Sequence, residues 1–250
     1  LMLLLLSALA LGQNITTAEF SGLVISSDNQ PLPGVTIKAV HVPTGTVFTT
    51  LTRDDGRFNI PAVRVGGPYT INASLEGFRE EEFKDVYVKL GENKLLNIKL
   101  NLANVDLGQV TVVATEQLLS TAQPGAAENV SESVIENMPS ISRNFADFAR
   151  LVPQVNIAEN FSDQAYSVAG RNNRYNNVQI DGAVNNDLFG LADSGSPGGQ
   201  AGTTPISLDA IQEFQIVLAP YDVRQGGFTG GGINAITRSG TNNFHGSAFF

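Results

Sequence analysis

From Glu19 to Asn101 apolar and polar residues alternate with a period of two, in short runs separated by turn residues. Tyr69, Ile71, Ala73 and Leu75 alternate with Thr70, Asn72, Ser74 and Glu76, and Leu96, Ile98, Leu100 and Leu102 alternate with Asn97, Lys99 and Asn101. Val35, Ile37 and Ala39 repeat the pattern, as do Val86, Val88 and Leu90. Successive strand side chains point to opposite faces, so this spacing predicts half-buried antiparallel strands with one apolar and one wet face. Turns are supplied by Asp28-Asn29-Gln30, Pro43-Thr44-Gly45 and Asp54-Asp55-Gly56. About seven strands fit in roughly 80 residues, the density of a small β-sandwich.

After Leu102 the pattern changes and Gly, Asn, Ser and Ala dominate. Asn129 with Glu132 three residues later has the form of a capping box, ahead of Val134, Ile135 and Met138 at helical spacing and a stop at Pro139. A second helix is predicted over Arg143 to Val152, with Phe145, Phe148, Ala149 and Val152 on one stripe and Pro153 as terminator. Strands are predicted at Tyr166–Ala169, Val178–Asp181, Phe214–Leu218 and Ile233–Thr237, with a helical turn at Leu208–Ile211. The Gly- and Ser-rich stretch Asn185–Thr204 reads as a long surface or lumen-facing loop. The expected fold class is therefore multi-domain, an all-β sandwich followed by an α+β domain.

Charge sharpens this division. Residues 19–101 hold nine Lys or Arg against ten Asp or Glu, whereas residues 102–250 hold six Arg, no Lys and fourteen acids. The formal charge of −9 argues against a nucleic-acid partner, which requires a basic footprint. With no cysteine there is no disulfide, thiolate metal site or thiol nucleophile. The opening run from Leu1 to Leu11 is apolar and ends at Gly12, too short for a membrane helix of about 20 residues. It reads as a signal-peptide h-region, with residues 1–13 a partial signal peptide and a buried N-terminal helix the alternative.

SGLVISSDNQPLPGVTIKAV, TLTRDDGRFNIPAV and YTINASLEGFRE resemble the carboxypeptidase-regulatory-like, transthyretin-like module, and residues 19–102 are assigned to it. Gly34 and Gly56 fall where a tight turn needs positive φ, and Phe58 returns an aromatic ring to the core after the turn. Three later segments resemble the plug of TonB-dependent receptors, in particular the Oar-like group. The first contains Arg143 and Phe145 in SRNFADFARLVP, with Gln154 where the family usually has Gly. The second, AGRNNRYNNVQIDG, contains Arg171 and closes on Asp181 and Gly182, in Gly-Arg rather than Arg-Gly order. The third runs from Glu213 in IQEFQIV to GGFTGGGINAITRSGTN, with Gly231, Gly232, Asn234, Thr237 and Gly240. Residues 117–242 are assigned to the plug, and the clustered glycines are expected to let backbone approach a barrel wall closely.

The resemblance gives residues 103–116 a candidate role. Leu107, Gly108, Gln109, Val110, Thr111, Val112 and Val113 look like a TonB box, the extended stretch that TonB grasps from the periplasm by β-augmentation. An ordinary linker or a last sandwich strand is the alternative. In residues 243–250 period two restarts, with Phe244, Gly246, Ala248 and Phe250 on one face, as a first barrel strand would. The barrel is thus expected to be missing after that point. The family implies a bacterial outer-membrane receptor, with plug and sandwich on the lumen and periplasmic side. Its expected partners are TonB, the chain's own β-barrel, outer-membrane lipid around that barrel and an unidentified extracellular ligand.

No enzyme chemistry is legible. Gly230–Ala235 fits a loose dinucleotide pattern but opens no helix, and the oxygen ligands between Asp181 and Asp193 lack EF-hand spacing. His41 and His245 lack zinc spacing and read as surface or sandwich-face residues. No cofactor or catalytic residue is expected. An exported surface or adhesion protein is the rival function, and an accessory region of a metallocarboxypeptidase a third. Siderophore, glycan, peptide and protein cargo stay open, with peptide or protein, or a surface role, ahead of iron.

Overall fold

The structure is a computed structural model and describes residues 15–103, 125–139, 145–159, 164–192, 194–201, 203–220, 228–244 and 246. It contains two compact units, one built on the N-terminal strands and one on residues 124–237.

Among the described residues the first unit has seven strands: β1 (Ala18–Ser26), β2 (Thr36–His41), β3 (Thr46–Leu51), β4 (Arg57–Val63), β5 (Gly66–Ser74), β6 (Glu81–Val88) and β7 (Asn93–Leu100). They form a three-stranded sheet in the order β4-β1-β7 and a four-stranded sheet in the order β3-β2-β5-β6. The alternation read from the sequence holds: Ile37 and Ala39 on β2 and Tyr69, Ile71 and Ala73 on β5 are fully buried. Phe20 of β1 meets Tyr69 edge to face, with ring centroids 5.2 Å apart. Gly56 has φ of 74° in the turn before β4, and Phe58 is buried directly after it.

Two features depart from the sequence reading, and a third decides between its alternatives. The β1–β7 ladder is parallel, running from Glu19 opposite Asn93 to Ser26 opposite Leu100. These are the first and last strands of the sandwich, so no hairpin constrains their direction. Leu102 is 48% exposed and off the apolar face, because the chain leaves the strand after Leu100 and Ala103 donates to the Gly77 carbonyl at 3.0 Å. Of the two readings of His41, surface or sandwich-face, the structure bears out the second. His41 shares the inward face of β2 with Ile37 and Ala39, its ring centroid lies 4.8 Å from that of Tyr69, and its Nδ1 is 2.7 Å from Thr44 Oγ1. Its Nε2 is buried without a hydrogen-bond partner among the described residues, and burial, with Arg64 adding to it, lowers its pKa. Burial also pushes the Tyr69 phenol up to about 12, although its hydroxyl donates to the Arg64 carbonyl at 2.8 Å.

The second unit comprises β8 (Gly125–Ser131), α1 (Glu132–Asn137), α2 (Phe145–Ala149), β9 (Val155–Glu159), β10 (Gln164–Val168), β11 (Asn177–Ile180), β12 (Ala183–Val184), β13 (Ile211–Pro220) and β14 (Gly232–Thr237). Five strands form a mixed sheet in the order β12-β11-β14-β13-β8, with β11 and β14 parallel, and β9 pairs with β10 separately. Val130, Ile135, Phe148, Val152, Tyr166, Val168, Val178, Phe214, Ile216 and Ile233 belong to its core. Phe148 of α2 meets Phe214 of β13 edge to face at 5.8 Å. Burial raises the Tyr166 phenol pKa well above its ordinary value.

The predicted strands near residues 166, 178, 214 and 233 are present, as is a helical turn, a 3-10 helix at Leu208–Ala210. The capping box is not. Asn129 lies in β8, where its Oδ1 accepts from Gln215 Nε2 at 2.9 Å, and the residue preceding α1 is Ser131. Sheet pairing has taken the residue that would otherwise have capped the helix. The second helix is shorter than predicted: residues 140–144 lie outside the described residues, and turns follow Ala149. Strands β8, β9 and β12 were not anticipated.

Candidate functional site

The five-stranded sheet of the second unit has two different faces. Val130, Phe214, Ile216, Ile233 and Val178 point into the core, and their neighbours point the other way. On that opposite face, four amides stand in one cross-strand row. Asn129 on β8 is opposite Gln215 on β13, Gln215 is opposite Asn234 on β14, and Asn234 is opposite Gln179 on β11. Gln215, Asn234 and Gln179 are all buried, as is Asn177 two residues before Gln179. The Oδ1 atoms of Asn177 and Asn234 have no hydrogen-bond partner among the described residues. The same face also carries the buried Val217 and Ile236, so it is a mixed face, and Asn234 Nδ2 donates there to the Ile15 carbonyl at 2.7 Å. Sequence reading missed this row, although the polar spacing of Asn177 with Gln179 and Glu213 with Gln215 carried the signal.

Asp181 and Gly182 have φ of 51° and 79° between Ile180 and Ala183, which pair with each other. Two central residues at positive φ make a tight two-residue hairpin turn, the reason for an Asp-Gly pair there. The Asp181 carboxylate also accepts from the Thr237 backbone N–H and from its hydroxyl, both at 2.9 Å. One residue therefore turns β11 into β12 and pins the end of β14.

Glycines 230–232 have a different reason. None has positive φ, so conformation does not require them. A Cβ on Gly231 would lie 2.6 Å from a methyl of the buried Val168, and one on Gly232 would lie 3.1 Å from the Phe228 ring. Asn176 completes the junction, its Nδ2 donating to the Tyr166 carbonyl at 2.7 Å and its Oδ1 accepting from the Gly231 N–H at 2.9 Å. The close approach that Gly231 permits is thus to the domain's own strand β10, whereas Gly230 lies against Asn176 and Tyr175 and Gly232 against Phe228.

The loop between β12 and the Leu208–Ala210 turn is organised on Asp187. Its carboxylate accepts from the Ala192 N–H at 2.6 Å and the Phe189 N–H at 3.1 Å. These bonds, that from Ala192 foremost, hold its pKa below the usual carboxylate range. Leu188 and Phe189 project from this loop at 87% and 85% exposure.

The other predicted residues are scattered. Glu213 is buried on β13, Arg171 is exposed after β10, Gly240 is exposed beyond β14, and Phe145 begins α2. Arg143, His245 and the whole stretch Leu107–Val113 lie outside the described residues, as do residues 1–13. Of residues 243–250, only 243, 244 and 246 are described, and Phe244 is fully exposed.

Comparison with known proteins agrees with this division. The family model described as carboxypeptidase regulatory-like domain matches residues 19–101, and that described as TonB-dependent receptor plug domain matches residues 120–233. The TonB-dependent transporter Oar of Myxococcus xanthus is 27% identical over 239 residues, 91% of this chain but 21% of that protein. Among solved structures, the outer membrane transporter YddB from Escherichia coli is 22% identical with a TM-score of 0.38, over 45% of this chain and 17% of its own. The 3-chlorocatechol 1,2-dioxygenase from Rhodococcus opacus is 10% identical with a TM-score of 0.30, over 36% of this chain and 61% of its own. This chain therefore joins a carboxypeptidase regulatory-like domain, residues 19–101, to a TonB-dependent receptor plug domain, residues 120–233.

Proposed function

We propose that this chain is the periplasmic and lumenal portion of a TonB-dependent outer-membrane receptor, in which the plug gates a transmembrane β-barrel for energised uptake of an extracellular ligand. The observation that carries this reading is the plug match over residues 120–233. The row Asn129, Gln215, Asn234 and Gln179 is an internal part of that domain: Gln215 Nε2 donates to Asn129 Oδ1 at 2.9 Å and Asn234 Nδ2 to the Ile15 carbonyl at 2.7 Å. The protein works as a transport component, not an enzyme. The sandwich and plug lie on the periplasmic and lumenal side of the barrel, and residues 117–242 act as the gate.

TonB is the partner, and residues 107–113 are the segment it grips. Val110, Thr111, Val112 and Val113 favour extended backbone, and main-chain hydrogen bonds added to a TonB strand transmit force without depending on side-chain identity. The test is capture of the full-length receptor from outer membranes by a purified TonB C-terminal domain. Replacing both Val110 and Val112 with Pro removes two donors from the segment and is expected to abolish capture. Undiminished capture of the double variant would overturn the assignment of the grip to this segment.

A further inference from the structure

A sandwich has exposed sheet edges, and natural sheets blunt theirs with charge, proline or bulges. Three of the four edges here are blunted. Strand β4 carries Arg57 and Pro61, with Ala62 at φ of 57°. Strand β6 carries Glu81, Glu82, Lys84 and Asp85, with Asp85 at φ of 57°, and its register with β5 is broken. Strand β7 carries Lys94 and Lys99. The fourth edge, β3, reads TVFTTL, without charge, proline or bulge, and it pairs with β2 in unbroken register from Thr36 opposite Leu51 to His41 opposite Thr46.

The Thr52 N–H donates to the Val35 carbonyl at 3.0 Å, which fixes the alternation along the hairpin. Residues 46, 48 and 50 exchange hydrogen bonds with β2, so the N–H and C=O groups of Val47, Thr49 and Leu51 face outward from the sheet. Phe48 lies on the core side, 6.5 Å from Tyr69, yet is only partly buried. A strand laid along β3 would satisfy the outward groups and cover this ring.

The chain itself supplies a matching segment. It leaves the sandwich at Ala103, beside Gly77 in the β5–β6 connection. At that end of the sheet Ser74 of β5 is opposite Thr36 of β2, which is opposite Leu51 of β3. Crossing to the outer side of β3 covers about three and a half strand spacings, or about 17 Å, which takes five to six extended residues at about 3.3 Å each. The six residues 104–109 are enough for that distance. Next come Val110, Thr111, Val112, Val113, Ala114 and Thr115, six uncharged residues for the six of β3, bounded by Glu116. Arriving at the Leu51 end, they run antiparallel to β3.

We propose that β3 is the docking edge for residues 110–115 of the same chain, which add to the four-stranded sheet as a fifth strand. This rests on the reading of residues 107–113 as the TonB-gripped segment, and it assigns where that segment is held before TonB engages it. A strand held this way keeps its second edge free for a partner.

The test contains no TonB, so its failure is separable from failure of the capture experiment. The 250 residues have no cysteine, so paired cysteines can be introduced directly. In the full-length receptor in outer membranes, Thr50→Cys with Thr111→Cys is expected to form an intramolecular disulfide at least tenfold faster than Tyr87→Cys on β6 with Thr111→Cys. Adding Thr49→Pro, which removes an outward donor that β2 does not use, is expected to slow the β3 disulfide tenfold. In the receptor without introduced cysteines, the amides of residues 110–115 are expected to exchange at least tenfold more slowly than in the Thr49→Pro variant. Equal rates for the β3 and β6 pairs, a disulfide only between two receptor molecules, or exchange of residues 110–115 at the rate of an unstructured peptide would each overturn the proposal.

Discussion

Replacing Gly231 with Ala isolates the junction between β14 and β10. Gly231 does not have the positive φ that L side chains avoid, so the effect of the substitution is steric. The new methyl would sit 2.6, 2.7 and 2.9 Å from three carbon atoms of Val168, which is fully buried in the plug core. Comfortable carbon contacts are near 3.5–4.0 Å, so strand or side chain must yield by close to an ångström, at a cost of about 1–3 kcal/mol. Val168→Ala alone removes two buried methyl groups and costs about 2 kcal/mol. Together the added methyl occupies space that the valine vacates, and the double variant should be at least about 1 kcal/mol more stable than the sum of the single effects. Native-state hydrogen exchange of β10 and β14 amides at graded denaturant reads the plug apart from the sandwich. Additive single effects, or a Gly231→Ala cost below about 0.5 kcal/mol, would refute the packing explanation for this glycine.

Asp181→Ala removes both bonds to Thr237 and is expected to speed exchange of the β14 amides by roughly tenfold, whereas Thr237→Val, which loses only the hydroxyl bond, should have a smaller effect. Identical exchange in all three proteins would contradict the pinning role. The sandwich should also lose stability in mild acid, because burial lowers the folded-state pKa of His41 below 6.5. As pH falls below 6.5 the unfolded chain takes the proton first, so the His41 contribution is complete above that pH and declines below it, by at most about 1.4 kcal/mol per pH unit until the folded-state value is reached. Urea midpoints at pH 7.5 and 5.5 measure this, and His41→Phe should flatten the difference. An unchanged midpoint in the native sequence would remove His41 as the cause.

The sandwich was the more legible domain because period two is a local signal and each of its faces is uniform. The same signal ran one residue pair too far at Leu102, where tertiary pairing with the Gly77–Phe78 turn, invisible to alternation, redirects the chain. The parallel partnership of β1 and β7 depends on residues some 70 positions apart and has no local signature. In the plug, Asn129 and Glu132 satisfied a helix-start pattern, but the pairing of β8 with β13 decided the outcome. Asp181 and Gly182 were found through the family resemblance, and their positive φ values explain the pair. The glycines at 230–232 were also found, but Val168, the neighbour of Gly231, lies more than 60 residues earlier and could not be read from the sequence.

The parallel ladder between β1 and β7 has a mechanical consequence. The sandwich is entered at Ala18 and left at Leu100, at opposite ends of two strands that run side by side through eight paired positions. Tension applied between those two points pulls the strands along their length in opposing directions. All the rungs are then loaded in shear together, rather than unzipped one at a time as in a hairpin pulled from its open end. The order of seven strands thus makes the domain a tether that carries load between its two ends before it yields.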